Sequence, residues 1–350
     1  MSFEAQSEAD ILSRLKVNLT TALNGQSSVE GTFNSDMLTA NAVEFEQAYA
    51  EMELMIEANF ADTSWGQYLT SRAAEFGVIR KVATASVTTV KLTGDAGSSI
   101  IKGSLFSTAQ DIKFYTTEVA TIGIDGTVTV AAQCGTVGTV GNVEAGTIIN
   151  IPYSIPGVTS VTNEAAATDG YDEETDAALL ERYLLKVRTP ATSGNEYHYQ
   201  QWALSISGVG QVKVQSLWAG NGTVKVIIVD SDNATASSTL ISNVAEYIES
   251  VRPIGATVTV TSPDPLAINI VADITGTANA NAVKTAVNTY FKSTGFDSTY
   301  VSIAQIGKII LETDGITDYS NLTLNDGTTN IIISDDQLPT CGAVNLNVVS

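Results

Sequence analysis

Basic side chains are scarce in this chain. Among its 350 residues, 17 are Lys or Arg and 38 are Asp or Glu, which gives a formal net charge of −21 and a sequence pI near 4.2. A molecule with this field repels polyanions, so nucleic acid and anionic membrane surfaces are excluded as partners. The scarcity is also local, because no Lys or Arg occurs from Val17 to Ser71 or after Lys308. Both ends of the chain are therefore expected to present acidic surfaces.

Long hydrophobic runs are absent as well. No uninterrupted apolar run exceeds four residues, as at Ala177–Leu180 and Val226–Val229, whereas a helix that spans a bilayer needs about 20. The first residues, Met1-Ser2-Phe3-Glu4-Ala5, have neither the basic region nor the apolar core of a secretory signal. We therefore expect no stable membrane insertion and a protein that folds first in the cytoplasm.

Histidine and cysteine are too few for most familiar catalytic or metal centres. The one histidine, His198, has no cysteine nearby, and Cys134 and Cys341 are far apart in apolar surroundings typical of separate buried thiols. The motifs H-E-x-x-H and G-x-S-x-G are missing. The glycine-rich run Gly135–Gly141 lacks the lysine and the following helix of a phosphate loop, so it is interpreted as a tight β turn. The sequence predicts a protein that is not an enzyme and has no cofactor or metal ion.

An acidic cluster begins the second half of the chain and consists of Asp172, Glu173, Glu174 and Asp176. It lacks the alternating oxygen ligands of a calcium loop. We interpret it as the first turns of a helix that is capped by Thr168 or Asp169 and ends at Thr189-Pro190. Acids at the start of this helix, and Lys186 and Arg188 near its end, both complement the helix dipole.

The order of hydrophobic patterns predicts a multidomain α+β protein. Residues 1–80 indicate an N-terminal helical region, and 81–165 indicate a small all-β domain with alternating apolar residues and frequent turn signals. Residues 166–262 and 263–350 mix both patterns and predict two α+β domains. The clearest hairpin has strands at 211–218 and 223–229 about a Gly-rich turn. A helix followed by Ser207-Gly208-Val209 is echoed at Asp314-Gly315-Ile316, which suggests a duplication.

The clearest helix is predicted from Asp36 to Phe60. Its apolar residues recur at alternating intervals of four and three positions: Leu38, Ala42, Phe45, Tyr49, Met52 and Ile56. The stripe covers fewer than three heptads, so packing inside a helical domain and an intermolecular seam both stay open. Because the surrounding stretch carries acids and no bases, self-association there would meet like-charge repulsion. A basic or neutral partner helix is therefore favoured.

Several segments then follow in a fixed order: Ala61–Leu69, Arg72–Val78, Pro156–Asn163, Asp172–Pro190, Ser193–Asn195 with Tyr199 and Trp202–Leu204, Gly208–Gly210, Trp218–Val224 and Val251–Ala256. Together they resemble the baseplate J-like proteins of contractile phage tails and related bacteriocins. The resemblance covers about residue 60 to 350, with a weaker helical match before it. The chain departs from the family pattern at Ile101-Lys102-Gly103, where the family commonly has Ile-Pro-Ala-Gly, and at the less basic Thr189-Pro190.

This resemblance implies a structural baseplate wedge subunit, repeated around a sixfold ring at the membrane-proximal end of a contractile tail. In such machines the N-terminal helices join neighbouring wedge proteins, while C-terminal domains link wedges into a ring around the hub and spike. The ring relays the trigger for sheath contraction. The implied partners are other copies of the chain, other wedge proteins, sheath proteins and hub proteins, in a tail baseplate assembled in the bacterial cytoplasm. The predicted inter-subunit helix seam is Leu38, Phe45, Tyr49, Met52 and Ile56, with Trp65 at its base.

Two other functions stay open as alternatives. A receptor-binding or adhesive tail protein would suit the Thr- and Gly-rich β domain, but a fibre would show sustained repeats along most of its length. A cell-wall hydrolase could use paired carboxylates, whose partners can be distant in sequence. The acids seen here lie at helix starts, on helix flanks or in turns, where a solvated face is the ordinary explanation.

Overall fold

The computed structural model describes residues 4–22, 29–294, 296 and 298–349. The chain divides into two units. The first contains Met1–Arg80 and Thr175–Leu184, and the second contains Lys81–Glu174 and Leu185–Ser350. The mixed α+β fold class with an N-terminal helical region is confirmed.

Helices make up the first unit: α1 (Glu8–Ala22), α2 (Phe33–Asn59), α3 (Gly66–Ala74) and the start of α4 (Asp176–Arg188). α2 begins three residues before the predicted Asp36, because the Thr32 side chain caps it by accepting from the Ser35 backbone N–H at 3.3 Å. α3 is closed by Gly77 in the left-handed conformation, with a φ of 75°. The start of α4 packs on α3 through a small core of Leu69, Ala73, Val78, Leu179 and Tyr183.

Eight short strands form the all-β part: β1 (Val87–Gly94), β2 (Ser99–Ile100), β3 (Leu105–Thr108), β4 (Lys113–Thr116), β5 (Ala120–Thr121), β6 (Thr127–Cys134), β7 (Ile148–Asn150) and β8 (Val158–Thr162). Six of them form one antiparallel sheet in the order β7-β3-β4-β6-β1-β8, which curls into a nearly closed barrel. β2 pairs with β5 in a separate ribbon. Alternate residues point inward, and Leu92, Phe106 and Phe114 are fully buried at the centre.

The side chain of Asn163 bridges the gap between the two end strands of the barrel. Asn163 follows β8 and is fully buried. Its Oδ1 accepts from the backbone N–H of Ile148 in β7 at 2.9 Å, and its Nδ2 donates to the carbonyls of Glu144 and Ala165 at 2.9 and 2.8 Å. One amide therefore satisfies three backbone groups that the open side of the sheet would otherwise leave unpaired.

Of the acidic cluster only Asp176 lies in α4, where it is the first residue, so the predicted caps Thr168 and Asp169 are wrong. Thr168 pairs with Val87 as an extension of the barrel, and Asp169 has a φ of 66°, which a helix does not allow. The Asp172 carboxylate instead accepts from the backbone N–H and hydroxyl of Thr139, at 2.9 and 3.1 Å. Thr139 belongs to the glycine-rich turn after β6, which is a turn with no following helix, as predicted.

The middle segment, residues 185–261, contains α5 (Glu196–Leu204), β9 (Val209–Ser216), β10 (Thr223–Asp230), α6 (Ser238–Val251) and β11 (Thr257–Thr261). The predicted hairpin is confirmed as the antiparallel pair β9–β10, and β11 runs parallel to β10 on its other side. α5 and α6 cover one face of this sheet through a core that includes Tyr199, Val226, Ile228, Val244 and Ile248.

The final segment, residues 264–348, contains β12 (Asp264–Gly276), α7 (Ala280–Thr294), β13 (Tyr300–Val301), α8 (Ile303–Glu312), β14 (Ile316–Leu324), β15 (Ile331–Ile332) and β16 (Gln337–Val348). β12 begins at Asp264, because Asp264 and Pro265 pair in parallel with Gln337 and Leu338. α7 and α8 lie over a core that includes Ile268, Ile274, Val287 and Ile310.

The middle and final segments contain three-stranded sheets with one layout. Each central strand, β10 or β12, has an antiparallel neighbour, β9 or β14, and a parallel neighbour, β11 or β16. In both, a helix and a glycine with a φ of 91°, Gly208 or Gly315, precede the antiparallel strand. The echo seen in the sequence therefore corresponds to a repeated spatial unit. The connections differ, since α5 and β9 precede β10 whereas α8 and β14 lie between β12 and β16.

Candidate interaction surface on the N-terminal helices

The first half of α2 is covered by α1. The two helices meet where the backbone N–H of Glu8, at the start of α1, donates to Oε1 of Glu46 in the middle of α2 at 3.0 Å. From there the chain runs through the 15 residues of α1 and returns to Phe33, the first residue of α2. Ile11 of α1 and Ala42 of α2 are fully buried. α1 therefore packs against the apolar face of α2 only as far as the middle of α2.

The second half of α2 leaves large apolar side chains exposed on several sides. At about 100° per residue, Met52 and Ile56 share one side of the helix, Met55 lies about a quarter turn away, and Leu54 lies opposite. These four side chains are 42% to 71% exposed. A helix that is apolar on several sides is typical of one enclosed by other protein.

The predicted seam residues share one side of α2, because at about 100° per residue each lies within about 80° of Ala42, but the structure buries them unequally. Leu38 and Tyr49 are half-buried. Phe45, Met52 and Ile56 are 50%, 46% and 42% exposed. The seam remains a prediction, and its exposed part begins near the point where α1 ends its cover.

Sequence reasoning missed four apolar side chains in the same stretch: Leu54, Met55, Phe60 and Tyr68. All of them are exposed. A heptad pattern cannot detect them, because they lie off the stripe. The density of apolar residues could have revealed them, because the stretch from Met52 to Tyr68 contains seven large apolar side chains together with several acids. We call Phe45 and these seven residues the α2 surface: Phe45, Met52, Leu54, Met55, Ile56, Phe60, Trp65 and Tyr68.

Trp65 lies at the base of this surface, in the turn before α3. Its ring meets the Tyr68 ring edge-on, with centroids 5.6 Å apart. The turn is fixed by Asp176, whose carboxylate accepts from the Gly66 backbone N–H at 2.8 Å and from the Arg80 guanidinium at 2.5 Å. The Gly66 hydrogen bond and then the Arg80 contact lower the pKa of Asp176. An ionised Asp176 therefore holds the base of the α2 surface in place at neutral pH.

The charged side chains within the α2 surface are acidic, and the nearest following base in the sequence, Arg72, lies one turn of α3 beyond Tyr68. Glu51, Glu53 and Glu57 lie among its apolar residues, and Asp62 follows the helix. No Lys or Arg occurs anywhere from Val17 to Ser71. A partner with basic residues beside an apolar face would meet this surface with charges of opposite sign.

The titratable groups outside this surface have structural roles. His198 is half-buried, where its Nδ1 accepts from the Gly194 backbone N–H at 3.2 Å and its ring stacks on Trp202. Burial lowers the pKa of His198. Burial also raises the pKa of Asp230, yet the Asp230 carboxylate accepts from two backbone N–H groups of the turn after β10. Cys134 and Cys341 are both free thiols, as predicted.

Two searches of the described residues found no further site of these kinds. No group of three or more His, Cys, Asp or Glu side chains in the ranges that the structure describes is arranged to hold a metal ion. None of the described helices combines the length and the apolar character needed to cross a bilayer.

Comparison with protein families matches three successive parts of the chain. Residues 89–170 match the baseplate J-like protein barrel domain, 191–262 match the baseplate J-like central domain, and 267–347 match the baseplate J-like protein C-terminal domain. These correspond to the barrel, the middle segment and the final segment described above.

Comparison with individual proteins finds similar chains of the same length. The phage-like element PBSX protein XkdT of Bacillus subtilis (strain 168) is 31% identical over 358 residues, which cover 98% of each chain. Baseplate protein gp47 of Escherichia phage Mu is 26% identical over 70% of this chain and 72% of its own. Among solved structures, a chain of the anti-feeding prophage baseplate covers 96% of this chain and 90% of its own, at 10% identity and a TM-score of 0.42.

Proposed function

This chain belongs to the baseplate J-like family, and we propose that it is a non-enzymatic structural subunit of the tail baseplate of a phage or phage-like particle. The three family domains in order, and the likeness to a Mu baseplate protein, support this role. More specifically, the chain acts as a wedge protein that is repeated in a sixfold ring around the hub and spike and relays the trigger for sheath contraction. Its four parts are the predicted ranges 1–80, 81–165, 166–262 and 263–350.

The observation that carries this proposal is the α2 surface. Fully burying a large apolar side chain stabilises a protein by about 1.5–3 kcal/mol. Phe45, Met52 and Ile56 each keep about half of their surface exposed. Covering them would therefore contribute about 1 kcal/mol apiece, or about 3 kcal/mol together. A subunit that is built to join neighbouring proteins through its helices would have such a surface.

The partner of the α2 surface is a helix, or a pair of helices, with an apolar stripe and basic flanks. Like-charge repulsion works against two copies meeting through the acidic rim of this surface. Basic side chains at the flanks of the partner would speed association by electrostatic attraction, and salt would screen that attraction. We therefore expect the association of this chain with neighbouring wedge proteins to weaken as ionic strength rises.

The test replaces Phe45 and Met52 with Asp in the full chain. Loss of about 2 kcal/mol of apolar burial, and more from burying two carboxylates, should abolish co-purification with the neighbouring baseplate proteins. The matched control replaces Ile124 and Ile254, both fully exposed in the second unit, with Asp. It should assemble as the wild type does. Normal assembly of the Phe45/Met52 variant would refute the seam.

The place of the subunit in the particle is tested by imaging. Electron microscopy of the assembled particle should place density for this chain on the ring around the spike. Density only on peripheral fibres would instead support the receptor-binding alternative.

A further inference from the structure

The β9–β10–β11 sheet is covered on both faces, by different parts of the chain. α5 and α6 cover one face. On the other face, Ile227 and Val229 of β10 are fully buried against Phe296 and Leu338 of the final segment. The apolar contact between the middle and final segments is thus a cluster of only four buried side chains.

Two lysines flank this small apolar contact on the same face. Lys225 and Ile227 alternate on β10, and Lys213 of β9 lies directly opposite Ile227. Lys213 Nζ lies 3.5 Å from Asp335 Oδ1, and Lys225 Nζ lies 3.9 Å from Asp336 Oδ2. The two lysine side chains are 20% and 17% exposed, whereas the aspartates are 72% and 50% exposed. The lysine side chains are therefore mostly buried in the contact, whereas the aspartate side chains lie at its solvent-exposed edge.

The same contact includes a cation–π interaction and two hydrogen bonds. Lys213 Nζ lies 4.3 Å from the centre of the Phe296 ring. The Phe296 backbone N–H donates to Gln211 Oε1 at 2.7 Å, and Asn233 Nδ2 donates to the Lys292 carbonyl at 2.9 Å. Among the described residues, these hydrogen bonds are few for a contact between two folded segments.

The chain crosses between the segments through two residues, Ser262 and Pro263, which separate β11 from β12. Just before them, the hydroxyl of Thr261 is buried, and no hydrogen-bond partner for it is found among the described residues. Burial of a hydroxyl without a hydrogen-bond partner is unfavourable, and this one lies next to the point where the chain crosses between the segments.

We propose that the middle and final segments form a hinge at Ser262-Pro263, which the pairs Lys213–Asp335 and Lys225–Asp336 hold closed. Without the aspartates, two neighbouring ammonium groups face an apolar and aromatic surface with no counter-charge, and the final segment moves away to let water reach them. Because the aspartates are exposed, salt screens both pairs. The proposal goes beyond the wedge function, because it assigns movement within one subunit and does not depend on any partner.

The test measures hydrogen–deuterium exchange of the full chain. The amide of Phe296 reports on the hinge, because it donates across it to Gln211. Asp335→Asn with Asp336→Asn should accelerate exchange of this amide about tenfold, which two partly buried ion pairs can supply together. The matched control, Asp318→Asn with Asp326→Asn, removes the same charge from the final segment and should leave the Phe296 amide unchanged. Amides from Ile268 to Ile274 in β12 must stay protected in each variant, which separates opening of the hinge from unfolding.

Charge reversal provides the second variant. Lys213→Asp and Lys225→Asp, combined with Asp335→Lys and Asp336→Lys, should return exchange toward the wild-type rate, whereas the lysine changes alone should not. Raising NaCl from about 0.05 to 1 M should accelerate exchange of the Phe296 amide in the wild-type chain, since this shortens the screening length to about 3 Å. Equal exchange in the Asp335/Asp336 variant and its control, or no response to salt, would overturn the hinge.

Discussion

Replacement of Asn163 is the sharpest test of how the barrel holds its shape. Asn163→Ala removes one acceptor and two donors, leaving the Ile148 N–H and the carbonyls of Glu144 and Ala165 without these partners. An unsatisfied buried group costs about 1–3 kcal/mol, with the upper part of that range for the buried N–H. The two carbonyls are only partly buried, so about 1 kcal/mol applies to each. The sum is a loss of about 4–5 kcal/mol of barrel stability.

The assay must be local, because the chain has several cooperative parts and one melting curve does not isolate the barrel. Hydrogen exchange of amides in β7 and β8, followed through a urea series, gives the opening free energy of this part. The control is Asn150→Ala, which removes a single bond from Nδ2 to the Thr108 carbonyl and should cost less than about 1 kcal/mol. A loss below about 1 kcal/mol for Asn163→Ala would show that the barrel closes without this bridge.

Two further predictions concern conformation and charge. Gly208→Ala should destabilise the middle segment by about 2 kcal/mol or more, because Gly208 has a φ of 91° and an added Cβ would lie 2.3 Å from the Tyr171 ring. Gly77→Ala, with a φ of 75° and open space, should cost about 1 kcal/mol, and hydrogen exchange of amides in β9 and in α3 measures the two losses separately. Since its folded pKa is lowered, Asp176 contributes stability above its unfolded pKa of about 4, and that stability is lost as pH falls through the folded pKa. Asp176→Asn should therefore remove this acid dependence from the first unit, which hydrogen exchange at pH 3 to 6 would detect.

Local signals predicted the elements that local interactions determine. The β9–β10 hairpin was predictable because its alternation and its Gly-rich turn lie within about twenty residues. α2 was predictable because its period persists over seven turns. The start of α4 was not, because Asp172 binds Thr139, which lies 33 positions earlier. A carboxylate just before a helix is predicted to belong to the helix start when the residue that it actually binds lies far away in the sequence.

The candidate surface was only partly predictable for a related reason. The pattern of α2 marks Leu38 and Ile56 equally, yet Leu38 is half-buried and Ile56 is 42% exposed. The difference depends on where α1 lies, since α1 reaches only to Glu46, which is before Ile56. The parallel pairing of β12 with β16 was likewise invisible, because its partners Asp264 and Gln337 are 73 positions apart (337 − 264).

That separation has a consequence for the order in which the protein forms during synthesis. The partners Thr223 and Thr257 of β10 and β11 are 34 positions apart (257 − 223), so the middle sheet can assemble soon after Thr261 is made. β12 has no parallel neighbour until β16 is made, about seventy residues later. Until then the core around its apolar residues Ile268, Ile270 and Ile274 is incomplete. Such an interval exposes a nascent chain to aggregation and to chaperones. A chain truncated before Gln337 would contain a complete barrel and an incomplete last sheet that is prone to associate with other chains. Premature termination there would therefore interfere with assembly of the particle as well as reduce the yield of the full chain.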